Sequence, residues 1–312
     1  MKREELKDLI KGTIVTTPTP FDNEGRLDLA RTADVTQWWI EQGLGTNVAP
    51  LKVAAAGGEG PDMTDDEWQH LLRTTVNSAG SGAVVMCGLK AKSTMHTIED
   101  AKMAHDLGAI GLQIDLPFFH HPNQDDYVRF YSDISDAIDI GIMIYNTHWF
   151  CSVPQDEYMK ADSMMRLKDS EHVVAIKWSV PEGEDYDDMR KFSDTFNVID
   201  NSGRSNVARC FNNGGIGYIS NVIAAYPAHD LEVFEMLKKG QIDEAQAELD
   251  RVNHAFAPWM EKTTARSGGY RQGKGMSAAL GRPVGPPRPP TIELDDQELA
   301  EIKVILDRLG WK

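Results

Sequence analysis

Short apolar runs recur through the first two thirds of the chain, each followed by a longer amphipathic stretch. The runs are Gly12–Thr17, Thr46–Ala54, Ala83–Cys87, Ile110–Ile114, Ile142–Tyr145, Val173–Lys177, Phe196–Ile199 and Ile216–Ser220. Most are rich in β-branched residues and short enough to be strands buried on both faces. The intervening stretches predict helices over Leu29–Glu41, Asp65–Asn77, Thr94–Leu107, Asp125–Ile138, Asp156–Arg166, Asp187–Asp194 and Ser205–Asn213. Caps such as Thr64-Asp65-Asp66-Glu67 mark starts, and Gly43 and Gly108 mark ends. Eight such alternations are the arithmetic of an α/β fold, a (β/α)8 TIM barrel. The competing doubly wound sheet lacks a glycine-rich phosphate motif after its first strand.

After Ser220 the alternation stops. Asp230–Lys239, Ile242–Lys262, Gly273–Leu280 and Asp295–Leu309 predict helices alone. The expected organisation is therefore a barrel over 1–225 and a C-terminal helical region over 226–312. Pro283–Pro290 (PVGPPRPP) reads as a stiff surface tether before the last helix.

With 32 basic against 48 acidic residues, the chain carries −16. That balance argues against nucleic acid or an anionic membrane as partner, since both need a basic face. No run of eighteen apolar residues predicts a membrane span. Cys87, Cys151 and Cys210 lie far apart and form no CxxC pair, and no signal-peptide pattern opens the chain. The expectation is a cytoplasmic protein.

Catalytic groups of such a barrel sit at the C-terminal ends of its strands. Lys177 closes the apolar run VVAI, so burial should lower its pKa and make it a candidate Schiff-base nucleophile. The alternative is a lysine that snorkels to solvent. Tyr145 ends the preceding strand and reads as an acid/base group or as a buried aromatic with a bonded hydroxyl. The loop Gly57-Gly58-Glu59-Gly60 offers backbone N–H groups to an anion, or is simply a turn. His120, His121 and His148 carry no metal-type spacing, so no metal is expected. Asp22 and Asp115 read as solvated surface.

Taken in order, several motifs identify a resemblance. They are Gly12-Thr13-Ile14, Thr17-Pro18-Thr19-Pro20-Phe21, Gly58-Glu59, Ile144-Tyr145-Asn146, Ala175-Ile176-Lys177, Gly214-Gly215-Ile216-Gly217-Tyr218-Ile219-Ser220 and Gly285-Pro286-Pro287-Arg288-Pro289-Pro290. The chain resembles the dihydrodipicolinate synthase / N-acetylneuraminate lyase family of class I aldolases and dehydratases over essentially its whole length. The resemblance implies a barrel with a C-terminal helical extension, usually a tetramer, and no cofactor. It implies Lys177 as the Schiff-base lysine for a 2-oxo acid and Tyr145 as the proton shuttle. Substrate contacts are expected from Ala56, Gly57, Gly58, Phe119, His120, Ser202 and Ile219.

The departures bear on substrate. Where the family commonly reads Gly-Thr-Thr-Gly-Glu, this chain reads Ala55-Ala56-Gly57-Gly58-Glu59, so two hydroxyls are missing. The synthases' second tyrosine is Phe119, and their arginine falls at Phe150. Asn201-Ser202 stands in place of Ser-Gly, and His120, His121, His148, Trp149 and Trp178 read as a pocket rim. The expected activity is a Schiff-base lyase on a 2-oxo acid with an aldehyde or sugar-acid partner, and not lysine-precursor synthesis. The strand-two segment is also similar to keto-deoxy-glucarate dehydratases, so a hydro-lyase is one alternative; a non-catalytic 2-oxo-acid-binding protein is another.

Overall fold

The computed structural model describes residues 1–90, 92–148 and 158–312. Its centre is a closed barrel of eight parallel strands in sequence order. These are β1 (Gly12–Thr16), β2 (Leu51–Val53), β3 (Val85–Leu89), β4 (Gly111–Asp115), β5 (Gly141–Tyr145), β6 (Val173–Trp178), β7 (Asn197–Asp200) and β8 (Gly217–Ser220). Every strand residue is buried except Asp115, which is half-buried. That burial on both faces is why the runs read as continuously apolar and not as alternating.

The surrounding helices are α1 (Arg3–Leu9), α2 (Leu29–Glu41), α3 (Asp65–Ala79), α4 (Thr94–Asp106), α5 (Gln124–Ala137), α6 (Ala161–Met165), α7 (Val207–Asn212) and α8 (Pro227–Lys238). At the start of α3, Thr64 and Glu67 close a capping box, as the sequence predicts. α1 plugs the amino-terminal end of the barrel, where Leu6 and Ile10 pack with Ile14, Met86, Met143 and Ile199. A β-carbon on Gly111 or Gly141 would stand 2.6 Å from Ile10 Cδ1, so this plug requires glycine there. The opposite end is thereby left as the accessible mouth.

Some expected elements change. Thr46–Pro50 forms a turn rather than the start of β2, with Gly45 N–H bonded to Ala49 O and Pro50 unable to donate. The helix expected over Asp187–Asp194 is a 3₁₀ segment at Tyr186–Lys191. Of the helix expected over Asp156–Arg166, the first two residues lie outside the described residues, 158–160 are non-helical and α6 is confined to Ala161–Met165.

The C-terminal region adds α9 (Ile242–Ser267), α10 (Tyr270–Ala279) and α11 (Asp296–Leu309). Among the described residues no helix is long and apolar enough to cross a membrane. The proline-rich segment is not a free tether. Arg288 donates to Gly25 O, Asp62 O and both Glu67 oxygens, and its backbone N–H to Glu59 Oε1. Buried Lys274 of α10 pairs with buried Glu59 at 2.6 Å and donates to Pro286 O at 2.7 Å. Charge-assisted bonds therefore strap the C-terminal region to the loop that follows β2.

Candidate active site

Strand register brings the candidate groups together. Asp115, Tyr145 and Lys177 are successive partners across β4, β5 and β6, at the mouth end of the barrel. Lys177 is 5% exposed, and its Nζ lies 3.3 Å from the centre of the Tyr145 ring. The same Nζ donates to Gln113 Oε1 at 3.3 Å. That oxygen also accepts from Lys52 Nζ of β2 at 2.8 Å, while Gln113 Nε2 donates to Asp115 Oδ1 at 3.4 Å. Two lysines thus share one amide oxygen, and the amide's other end faces a carboxylate.

Burial governs the charges. Desolvation, then the Lys52 charge, hold the Lys177 amine well below its usual pKa, with Asp115 opposing. Lys52 is fully buried and desolvation lowers it to about 7, again against Asp115. Burial raises Asp115 to about 6, opposed by Lys177, Gln113 and Lys52. Burial and Asp115 push the Tyr145 hydroxyl up, and the Asn201 side chain at the end of β7 opposes them. Near neutrality Tyr145 therefore carries its proton, and burial favours the uncharged form of Lys177. An uncharged amine beside a protonated hydroxyl can attack a carbonyl and pass on a proton.

The loop after β2 forms the rim. Gly58 N–H is committed to Ala55 O at 2.8 Å, Gly60 N–H to the same oxygen at 3.0 Å, and Glu59 N–H to Ala56 O at 3.1 Å. No hydrogen bond of the Ala56 or Gly57 N–H occurs among the described residues. The anion cradle read from sequence therefore narrows to these two amides. Gly58 and Gly60 have a packing reason: a β-carbon would meet Thr17 O at 2.4 Å and Ala54 O at 1.9 Å. Beside Gly57 a cavity of about 220 Å3 opens between Thr16, Asn221 and α10. Tyr270 of α10 lines it and is electrostatically coupled to both Asp115 and Tyr145.

The other candidates are placed as follows. Ile219 is 8% exposed and lies in the apolar cluster with Ala175 and Ile199. The Ser202 hydroxyl donates to Asp200 and accepts from Asn206 N–H, which commits it to the turn after β7. His120 is exposed on an open groove of about 830 Å3 beside α4 and α5, with Lys92 and Arg129, and not on the cavity beside Gly57. His121 is exposed at φ 46°, and His148 is half-buried. Trp178 is core and not rim: it is fully buried, donates to Tyr186 O and packs on Phe192. Phe119 belongs to a 3₁₀ turn at Phe118–His120. Trp149, Phe150 and Cys151 lie outside the described residues.

Sequence reasoning missed Lys52 and Gln113, and Asp115 was misread. Asp115 is not solvated surface; it bonds Gln113 and acts on both lysines. A signal existed. Lys52 interrupts an apolar strand run just as Lys177 ends one, and Gln113 and Asp115 stand two apart, on one face of β4.

The fold agrees with solved structures. A dihydrodipicolinate synthase from Oceanobacillus iheyensis superposes with TM-score 0.84 at 18% identity, covering 99% of each chain. A prophage protein of the dihydrodipicolinic acid synthase family from E. coli K12, solved with pyruvate, gives 0.80 at 20% identity over 97% of this chain and 100% of that one. Among curated proteins, the 4-hydroxy-tetrahydrodipicolinate synthase of Corynebacterium urealyticum is 26% identical over 308 residues, 96% of this chain and 95% of its own. That of Prochlorococcus marinus is 27% identical over 294 residues, 93% and 92%. Residues 9–309, from the plug helix to the end of α11, match the dihydrodipicolinate synthetase family, and the chain belongs to it.

Proposed function

We propose that this chain is a lyase in which Lys177 forms a Schiff base with a 2-oxo acid and Tyr145 moves the protons. The observation that carries the reading is the buried Lys177 amine, 3.3 Å over the Tyr145 ring at the barrel mouth, where desolvation disfavours its charge. Pyruvate is the first 2-oxo acid to test, because a structural neighbour was solved with it.

The chemistry follows from these groups. Lys177 Nζ attacks C2, and the Tyr145 hydroxyl supplies the proton with which the carbinolamine oxygen leaves as water. The resulting iminium is an electron sink. It permits loss of a C3 proton or cleavage of the C3–C4 bond to give an enamine. The Ala56 and Gly57 amides suit the substrate carboxylate. A 4-hydroxy substrate then divides between retro-aldol cleavage and dehydration.

Borohydride reduction in the presence of pyruvate should add the reduced adduct to Lys177, located by peptide mapping, and Lys177→Ala should remove it. An adduct on another lysine, or none across several 2-oxo acids, would overturn the reading. A panel of 4-hydroxy-2-oxo acids, including aromatic aldol adducts, then separates carbon–carbon from carbon–oxygen cleavage.

A further inference from the structure

Lys52 has no part in the chemistry above, yet it is a fully buried amine inside the barrel. Lysine is almost never fully buried without a partner. Its hydrogen-bond partner is a neutral amide oxygen, 2.8 Å away, which the Schiff-base candidate also uses at 3.3 Å. Two legs of 2.8 and 3.3 Å to one oxygen keep the two nitrogens within 6.1 Å of each other. At that range in a desolvated site, two ammonium groups disfavour one another strongly. We propose that Lys52 is a positioning residue: across Gln113 it forms an amine pair with Lys177, in which the positive charge resides on Lys52, balanced by Asp115, and Lys177 is kept as the attacking amine. The proposal rests on the Schiff-base reading of Lys177.

The surroundings fit this division. Asp115 on β4 acts on both amines, the Tyr145 ring of β5 lies under Lys177, and Tyr270 of α10 acts in turn on Asp115 and Tyr145. The nearby inward positions of β1, β3, β7 and β8 hold Ile14, Met86, Ile199 and Ile219, none of them charged. Lys52 is fully buried on β2, whereas Lys177, 5% exposed, stands near the carboxyl end of β6 beside Tyr145. Gln113 directs its oxygen to the amines and its nitrogen to the carboxylate, so it links three titrating groups while carrying no charge.

The test reads the titration of Lys177 in the intact protein. Competitive acetylation with acetic anhydride, quantified at each lysine by mass spectrometry from pH 5 to 10, measures it without substrate. Lys52→Met should raise the Lys177 midpoint by about one to two pH units, because a like charge is lost. Asp115→Asn should lower it, because an opposite charge is lost. Below the midpoint, each unit corresponds to tenfold in reactive amine. The rate of pyruvate-dependent borohydride trapping should move in parallel. Shifts of opposite sign are not what a purely structural role gives, and thermal melts establish that both variants are folded. An unchanged Lys177 midpoint in folded Lys52→Met overturns the inference, even where trapping still maps to Lys177. Failure of trapping with a normal acetylation profile overturns only the Schiff-base reading. A pyruvate adduct mapped to Lys52 overturns both.

Discussion

Replacing Lys52 by methionine keeps an unbranched side chain of similar length and deletes one buried amine. Burial lowers that amine from 10.5 to about 7. The folded state therefore binds fewer protons than the unfolded state between those limits, and wild-type stability must rise with pH across the window. About 3.5 pH units at 1.36 kcal/mol each set a ceiling near 5 kcal/mol for the cost of holding Lys52 charged below pH 7. The substitution removes a repulsion with Lys177 and an attraction to Asp115, which oppose each other. It also deletes one hydrogen bond, of about 1 kcal/mol net, while Gln113 Oε1 still accepts from Lys177. The expected result is a gain of about 2–4 kcal/mol at pH 6.5, shrinking through pH 8.5 and nearly gone at pH 10.5. Urea unfolding at these three pH values and one fixed protein concentration measures it, because any self-association makes stability concentration-dependent. A loss of stability of equal size at every pH would refute the reasoning, since it would mean that packing and not charge sets the energy at this position.

Tyr145→Phe should lower kcat by about 10²–10⁴ with little change in KM, because the hydroxyl is assigned to proton transfer; an unchanged kcat would reassign the shuttle. Glu59→Gln leaves Lys274 buried without its carboxylate and should cost about 3–5 kcal/mol in chemical denaturation, whereas an exposed pair would cost under about 1. With pyruvate and aspartate semialdehyde in a coupled assay, turnover should fall at least about a thousandfold below that of a lysine-pathway synthase. Loss of a charge-assisted contact gives about 10–100-fold and loss of relay hydroxyls about 10² more. Sedimentation at micromolar concentration should give a homo-oligomer, with the tetramer expected; a clean monomer would refute this, and one structural neighbour is described as a monomeric dihydrodipicolinate synthase variant.

The barrel was legible because parallel strands wrapped by helices must be apolar on both faces, and runs such as VVAIK and IMIY have no polar alternation. Element ends were less legible. The Tyr186–Lys191 segment has an acidic start that promises an α-helix, but six residues hold it as 3₁₀. The strap was misread because PVGPPRPP has the composition of a spacer, while the anchor is one arginine meeting a glutamate 221 positions away. Lys177 and Tyr145 could be found because strand ends are where chemistry sits. Lys52 could not be ranked the same way. Its importance depends on Gln113 of β4, two strands round the barrel, a contact between residues 61 positions apart. Asp115 was misplaced because half-burial at a strand end and full solvation look alike in sequence.

For stability alone, the interior of this barrel would be better served by apolar residues at positions 52 and 113. Neighbouring strands fill equivalent inward positions with Ile14, Met86, Met143 and Ile199, and well-packed apolar groups commonly equal or exceed buried charges. Removing only Asp115 would leave a buried positive charge unbalanced, whereas removing only Lys52 relieves a desolvated ammonium and a like charge beside Lys177, which is the gain expected of Lys52→Met. With Asp115 ionised, Lys52 protonated and Lys177 free, the charges of the trio sum to zero, while burial raises Asp115 to about 6, lowers Lys52 to about 7 and holds Lys177 well below the usual lysine range. A further proton on Lys177 would place a second cation within 6.1 Å of the first, in an interior with no additional carboxylate among the described residues facing the pair. The energetic cost of the charged residues and the nucleophilicity of Lys177 thus have one origin, the desolvation of two amines around a single amide oxygen.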